Sequence, residues 1–232
     1  MRDSQDRGGV TLQSYKILQR HSSYISLYLQ SLQFFTAVIM RLPYIPDPPE
    51  FTEEADKAVL ERIKERRGAK GLIALDRTLL HSPPVADGWN SFLGAIRTKT
   101  SLPTSVRETA IARVAVLNKA WYEWESHSPI LRAAEGVSSE HVDAVLQSPP
   151  RQVNKGIQDD KLAAVLSYTD AMTLDVTVPD EVFARLKDHF SEQEVVEITA
   201  TVAAYNCVSR FLVALDVGET NGQKGPEKEW EL

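Results

Sequence analysis

Residues 107–136 read RETAIARVAVLNKAWYEWESHSPILRAAEG, and how this stretch folds decides the reading of the rest of the chain. Just after Pro103, Ser105-Val106-Arg107-Glu108 matches an S-x-x-E capping box, a helix-start signal. Behind it, Ile111, Val114, Leu117 and Trp121 recur at helical spacing on one side. A single unbroken helix would hold Glu108 and His127 about 28 Å apart at 1.5 Å per residue, too far for shared chemistry. Asn118-Lys119 is the natural break, because asparagine tolerates helix-ending and helix-starting geometry. The stretch therefore reads as a helical hairpin whose second helix starts near Ala120 and to which Glu108 folds back.

On that second helix Glu123 and His127 stand four residues apart and share a face. Two readings follow: a surface ion pair, or an acid/base couple in which the carboxylate sets the imidazole tautomer. Metal binding is disfavoured, since two ligands are too few and no third His or Cys has matching spacing. Pro129 removes a donor and clashes with the carbonyl of Glu125, which predicts a kink or restart beside the pair. Gly136 is the expected C-cap.

Working outward, the downstream chain is helical throughout. Ser138 or Ser139 caps a helix to about Leu146, and Pro149-Pro150 opens a polar loop. Asp159 or Asp160 starts KLAAVLSYTDAMTLD, and Pro179 opens DEVFARLKDHF. Ser191 and Glu194 form a capping box ahead of VVEITATVAAYNCVSRFLVALDV, on which Tyr205, Asn206 and Arg210 read as buried polar residues or as facing a pocket or an interface. Upstream, four prolines between Leu42 and Phe51 impose an extended arm that should lie across a surface or a neighbouring subunit. Thr52 offers an N-cap to a helix through Arg67 stopped by Gly68 and Gly71. A short helix at Leu72–Leu80, a His81-Ser82-Pro83-Pro84 break and a helix from about Val85 to Arg97 follow. Nothing shows sustained period-two alternation, so the fold class is all-α.

Composition limits what these motifs can mean. The chain has 232 residues, 43% of them hydrophobic, which suffices for one sizeable core. A formal net charge of −6 without any run of Lys and Arg argues against a nucleic-acid partner. Cys207 is the lone cysteine, so there is no internal disulfide and no CxxC pair; a buried packing role is expected for it. Residues 21–40 contain no Asp, Glu, Lys or Arg, yet Gln30, Gln33, Ser26 and Ser31 interrupt the run, making it marginal as a membrane span. Residues 1–39 therefore read as an N-terminal extension, either a weak anchor or a gene-model addition upstream of a start at Met40. Residues 40–217 form the helical domain, and residues 218–232 a mobile tail. Membrane attachment is not expected and the chain is read as cytoplasmic.

RETAIARVAVLNKAWYEWESHSPILRAAEGVSSEHVDAVL resembles the carboxymuconolactone decarboxylase and alkylhydroperoxidase D-like family, with YEWESHSPI closest to its decarboxylase branch. VVEITATVAAYNCVSRFLVALDV is similar to the family's closing helix, and the proline arm with LIALDRTLLHSPPVADGW resembles longer eukaryotic, fungal-type members, which suggests secondary metabolism. The resemblance implies an alkylhydroperoxidase D-like helical bundle, a homotrimer or homohexamer, and no cofactor. Peroxidase-type members carry a C-x-x-C pair before the histidine. Here Ala120 and Glu123 occupy those two positions while Glu108 and His127 remain, so thiol chemistry is not expected.

The implied activity is a cofactor-free lyase or decarboxylase, or an isomerase, acting on a carboxylated lactone, keto acid or polyketide-like molecule. His127 is the expected general acid, Glu123 its orienting partner and Glu108 the end of a proton relay. Arg107 is expected to hold a substrate carboxylate or Glu123, with Trp124 and His81 walling the pocket; no metal is expected. A non-catalytic oligomeric protein that binds a small molecule or a partner on the same scaffold is the alternative.

Overall fold

The computed structural model describes residues 40–152, 157–221 and 225–226. The chain divides at 39/40 into two units, and the described residues all belong to the second. The extension at 1–39 and most of the expected tail lie outside the described residues.

The described residues form nine α-helices and no strand: α1 (Glu54–Arg67), α2 (Ala74–Leu79), α3 (Pro83–Thr98), α4 (Thr104–Leu117), α5 (Trp121–Arg132), α6 (Ser139–Gln147), α7 (Asp160–Leu174), α8 (Asp180–Lys187) and α9 (Glu192–Leu215). A 3₁₀ turn at Gly68–Lys70 follows α1. Helix α4 is the centre of the bundle. Ten of its fourteen residues are buried, so it is enclosed on all sides rather than carrying one apolar stripe. It packs against α5, α6, α7 and α9, while α1 packs on α3 and α3 on α9.

The hairpin forms where the sequence places it. Helix α4 ends at Leu117 with Asn118 as its C-cap, Lys119 turns with φ +55°, and Ala120 caps α5. A lysine at positive φ is uncommon and marks a tightly specified turn. Pro129 does not end α5, which runs through it to Arg132. The helix stops at Ala133, so Gly136 (φ +78°) lies in the turn beyond instead of capping it. The S-x-x-E box also fails to form: Pro103 is the N-cap residue, and Glu108 points inward. By contrast Ser138 caps α6, Asp159 caps α7, and Ser191 with Glu194 forms the expected box on α9.

Helix α3 starts two residues earlier than expected, with Pro83 and Pro84 in its first turn, where a missing N–H costs nothing. The proline arm lies across α2 and the end of α9. Ile45 N–H donates to Arg77 O, Arg77 Nε returns a bond to Ile45 O, and Arg41 Nη1 reaches Ala214 O. Helix α9 is long and apolar enough to cross a membrane. In the bundle, Val195, Ile198, Val202 and Leu212 of that helix are part of the core.

Candidate active site

The hairpin between α4 and α5 brings Glu108 against His127. His127 Nδ1 donates to Glu108 Oε2 at 2.6 Å, and both side chains are buried, at 5% and 1% exposure. Arg107 Nε donates to the other carboxylate oxygen at 3.3 Å. Burial by itself would raise the Glu108 carboxyl. The hydrogen bond and charge of His127, with Arg107 and Arg97 nearby, outweigh it and hold the group below its ordinary value. Burial likewise dominates at His127 and pushes the imidazole below its ordinary value despite the carboxylate beside it. At neutral pH the pair thus holds one proton, on Nδ1. The tautomer is set by Glu108, and the Nε2 lone pair is left over.

That nitrogen has no protein partner among the described residues, and the His127 ring lines a cavity of about 70 Å³. Ile73, Leu75, Trp89, Leu93, Val208 and Leu212 form its apolar wall. Among the polar side chains that face the same space are His127, Glu123 and Tyr205, with Tyr122 and Ser126 beside them. Glu123 does not bond to His127 as the four-residue spacing suggested. Its partner is Ser209 on α9, whose hydroxyl lies 3.1 Å from both carboxyl oxygens. Burial raises Glu123 well above the ordinary carboxyl range, against the Ser209 hydrogen bond, which lowers it. Burial thus favours the protonated form of Glu123, which carries an O–H to donate. The Tyr205 ring stands edge-on to His127, 5.1 Å between centroids at 84°, and burial keeps its phenol neutral.

The expected pocket residues sort differently. Arg107 holds Glu108, and no bond joins it to Glu123 among the described residues. Trp124 is core, buried beneath the Arg132 guanidinium at 5.9 Å, and does not line the cavity. His81 is exposed and bonds to Pro43 O at 2.7 Å, tying down the arm, and is not part of the cavity lining. Trp89 takes the aromatic position assigned to Trp124. Asn206 bonds to Asn118 and Thr173 rather than to the cavity, and Arg210 is exposed. Cys207 is exposed, not buried, and does not line the cavity either. No group of three or more His, Cys, Asp or Glu among the described residues is arranged to hold a metal.

Several residues here gave no sequence signal. Ser209 and Trp89 look like ordinary helix residues until α9 and α3 close over α5. Arg66, Arg67 and Arg97 line the cavity as well, and sit on separate helices α1 and α3.

Residues 83–148, spanning α3 to α6, match the Carboxymuconolactone decarboxylase family. No curated protein matches the sequence. Among solved structures, the chain resembles an alkylhydroperoxidase AhpD core, an uncharacterized peroxidase-related protein from Ralstonia eutropha, at 21% identity and TM-score 0.61 over 77% of this chain and 91% of that one. A peroxidase-related protein from a Silicibacter species aligns at 14% identity and TM-score 0.58, covering 78% and 95%. The debrominase Bmp8 in complex with 2,3,4-tribromopyrrole aligns at 18% and 0.56, covering 72% and 88%. These identities speak for the fold alone. This chain carries a carboxymuconolactone decarboxylase family domain, at residues 83–148, within an all-helical fold of the alkylhydroperoxidase D type.

Proposed function

We propose that the cavity catalyses cofactor-free proton transfer on a small carbonyl compound, as a lyase of the decarboxylase type or an isomerase. One observation carries this reading. A histidine whose tautomer is set by Glu108 opens its free nitrogen onto a cavity that also holds a second, separately buried carboxyl, Glu123. Two titratable groups whose surroundings drive them to opposite roles are the mark of an acid/base site. The roles differ from those read in the sequence. Neutral His127 is the base, and Glu123 is the acid.

In isomerisation, Nε2 takes a proton from the carbon beside a carbonyl, the C–H electron pair moves into the carbonyl to give an enolate, and the imidazolium returns the proton to a different carbon of the enolate system, which restores neutral His127. Tyr205 and Glu123 donate hydrogen bonds to the enolate oxygen. In decarboxylation the same enolate forms as the C–CO2 bond breaks and CO2 leaves with no electron pair. The carbon then takes its proton from Glu123, which is recharged from solvent. The names peroxidase and debrominase are not carried over: the one cysteine, Cys207, is exposed and outside the cavity lining.

The test follows deuterium uptake beside the carbonyl and CO2 release for a panel of carboxylated lactones and β-keto acids. His127→Gln is expected to lower deuterium uptake about 10²- to 10⁴-fold, the range for a general base. Glu123→Gln should lower it about 10²-fold. Wild type that neither exchanges nor releases CO2 across the panel overturns the reading, as do folded variants that keep the wild-type rate.

A further inference from the structure

Beside the cavity lies a second, larger cleft of about 320 Å³, lined by Arg66, Arg67, Lys70, Arg97, Arg107 and Glu108 among others. The two spaces share Arg66, Arg67 and Arg97, so they meet at one arginine wall. Five cations around one cleft are notable in a chain of net charge −6. Two of them are neutralised. Asp76 grips Arg67 through two bonds of 2.7 Å, and Glu108 receives Arg107 at 3.3 Å. Arg66 bonds to Asn90 and stands 3.9 Å from the same Asp76. Arg97 and Lys70 make no hydrogen bond or ion pair among the described residues, Arg97 half-buried and Lys70 exposed. Apart from Glu108, already bonded to both His127 and Arg107, the cleft lining contains no carboxylate.

We infer that Arg97 and Lys70, backed by Arg66 and Arg107, form an anchoring subsite for a carboxylate that the substrate keeps, distinct from the group that reacts at His127. The inference rests on the proton-transfer reading of the neighbouring cavity and names its substrate class: an organic acid whose apolar body enters the cavity while its carboxylate stays in the cleft. The physical reason for separating the two groups is the direction of charge flow. A carboxylate that leaves as CO2 gives up its charge, so pairing it with guanidinium groups stabilises the ground state and slows the reaction. A retained carboxylate keeps its charge throughout and binds ground and transition states alike, which suits arginine's fork. Lys70, in the 3₁₀ turn, and Arg66 and Arg67, on α1, lie outside the matched family segment, whereas Arg97 and Arg107 lie within it, so the subsite joins both parts of the chain.

Calorimetric titration of the full chain at low ionic strength, where such charges are least screened, tests this with benzoate, neutral benzamide and inorganic phosphate. Benzoate should bind at least about tenfold more tightly than benzamide, and also more tightly than phosphate, which has no body to place in the apolar cavity. Arg97→Gln should weaken benzoate about tenfold and Lys70→Gln about threefold, with benzamide unaffected by either; the exposed Lys70 keeps the test valid should Arg97→Gln fold poorly. His127→Gln, which alters only the cavity that takes the ring, should weaken benzoate less than Arg97→Gln does. Equal affinity for benzoate and benzamide overturns the subsite, and so does phosphate binding as tightly as benzoate. Unchanged benzoate affinity in both Arg97→Gln and Lys70→Gln does the same. Loss in His127→Gln as large as in Arg97→Gln would place the carboxylate at the histidine and overturn the separation. Because benzoate undergoes no reaction, failure of the anchor and failure of proton transfer are read independently.

Discussion

Helix α4 carries two buried charged groups five residues apart, and they are used in opposite ways. Arg113, fully buried, meets Asp170 at 2.6 and 3.0 Å and also donates to Val145 O at 2.8 Å. Asp170 accepts a further bond from Arg151 N–H. Each charge there is surrounded by fixed partners from α6, α7 and the loop between them. Glu108 is as deeply buried, yet its partner His127 keeps one nitrogen open to a cavity, and the next carboxyl, Glu123, has only a serine hydroxyl. A saturated pair locks helices together. An incompletely satisfied one leaves donors and acceptors available to a ligand.

The sharpest way to break the comparison is to remove one member of each pair. Arg113→Ala should cost about 3–5 kcal/mol in chemical unfolding, because it strands a buried carboxylate. A cost below about 1 kcal/mol would show that this pair is not what joins α4 to α7. Glu108→Gln should lower turnover about 10²-fold, since the amide no longer fixes the Nδ1–H tautomer, while the fold persists by circular dichroism. If instead it unfolds the protein as Arg113→Ala does, the two pairs are alike and the contrast fails.

The smallest effect is in pH. Folded Glu123 keeps its proton while the unfolded carboxyl loses it from about 4.5 upward, so this residue lowers stability as pH rises, by at most about 1.4 kcal/mol per unit. His127 acts with opposite sign: unfolded histidine takes up a proton below 6.5 and the folded one resists, so stability falls as pH drops through that window. Activity should rise with pH through a midpoint below 6.5 as His127 becomes a base, and decline on a second limb as Glu123 ionises, displaced upward from the ordinary carboxyl range. Glu123→Gln should remove that limb and flatten the stability loss that begins near pH 4.5; an unchanged limb would assign it to another group.

Local signals were legible where the local chain supplies its own partners. Ser138, Asp159 and the Ser191–Glu194 box cap their helices as their spacing says, and Asn118-Lys119 breaks the helix to form the hairpin. The same S-x-x-E spacing misled at Ser105, because Glu108 has a stronger partner in His127, nineteen residues away, and an arginine beside it. The i,i+4 spacing of Glu123 and His127 correctly puts both on the cavity, but each turns to a different helix for its bond.

The sequence by itself determined the helical class, the hairpin, and the presence of Glu108, Glu123 and His127 in one neighbourhood, since these follow from periodicity, capping and turn residues within about thirty positions. Tertiary structure alone decided which of them pair, that Trp89 and Tyr205 rather than Trp124 and His81 wall the cavity, and that arginines from α1 and α3 meet beside it. The reason is physical: the proton carried by a buried carboxyl or imidazole depends on how far water is excluded and on charges brought from distant helices, and neither is written in local spacing.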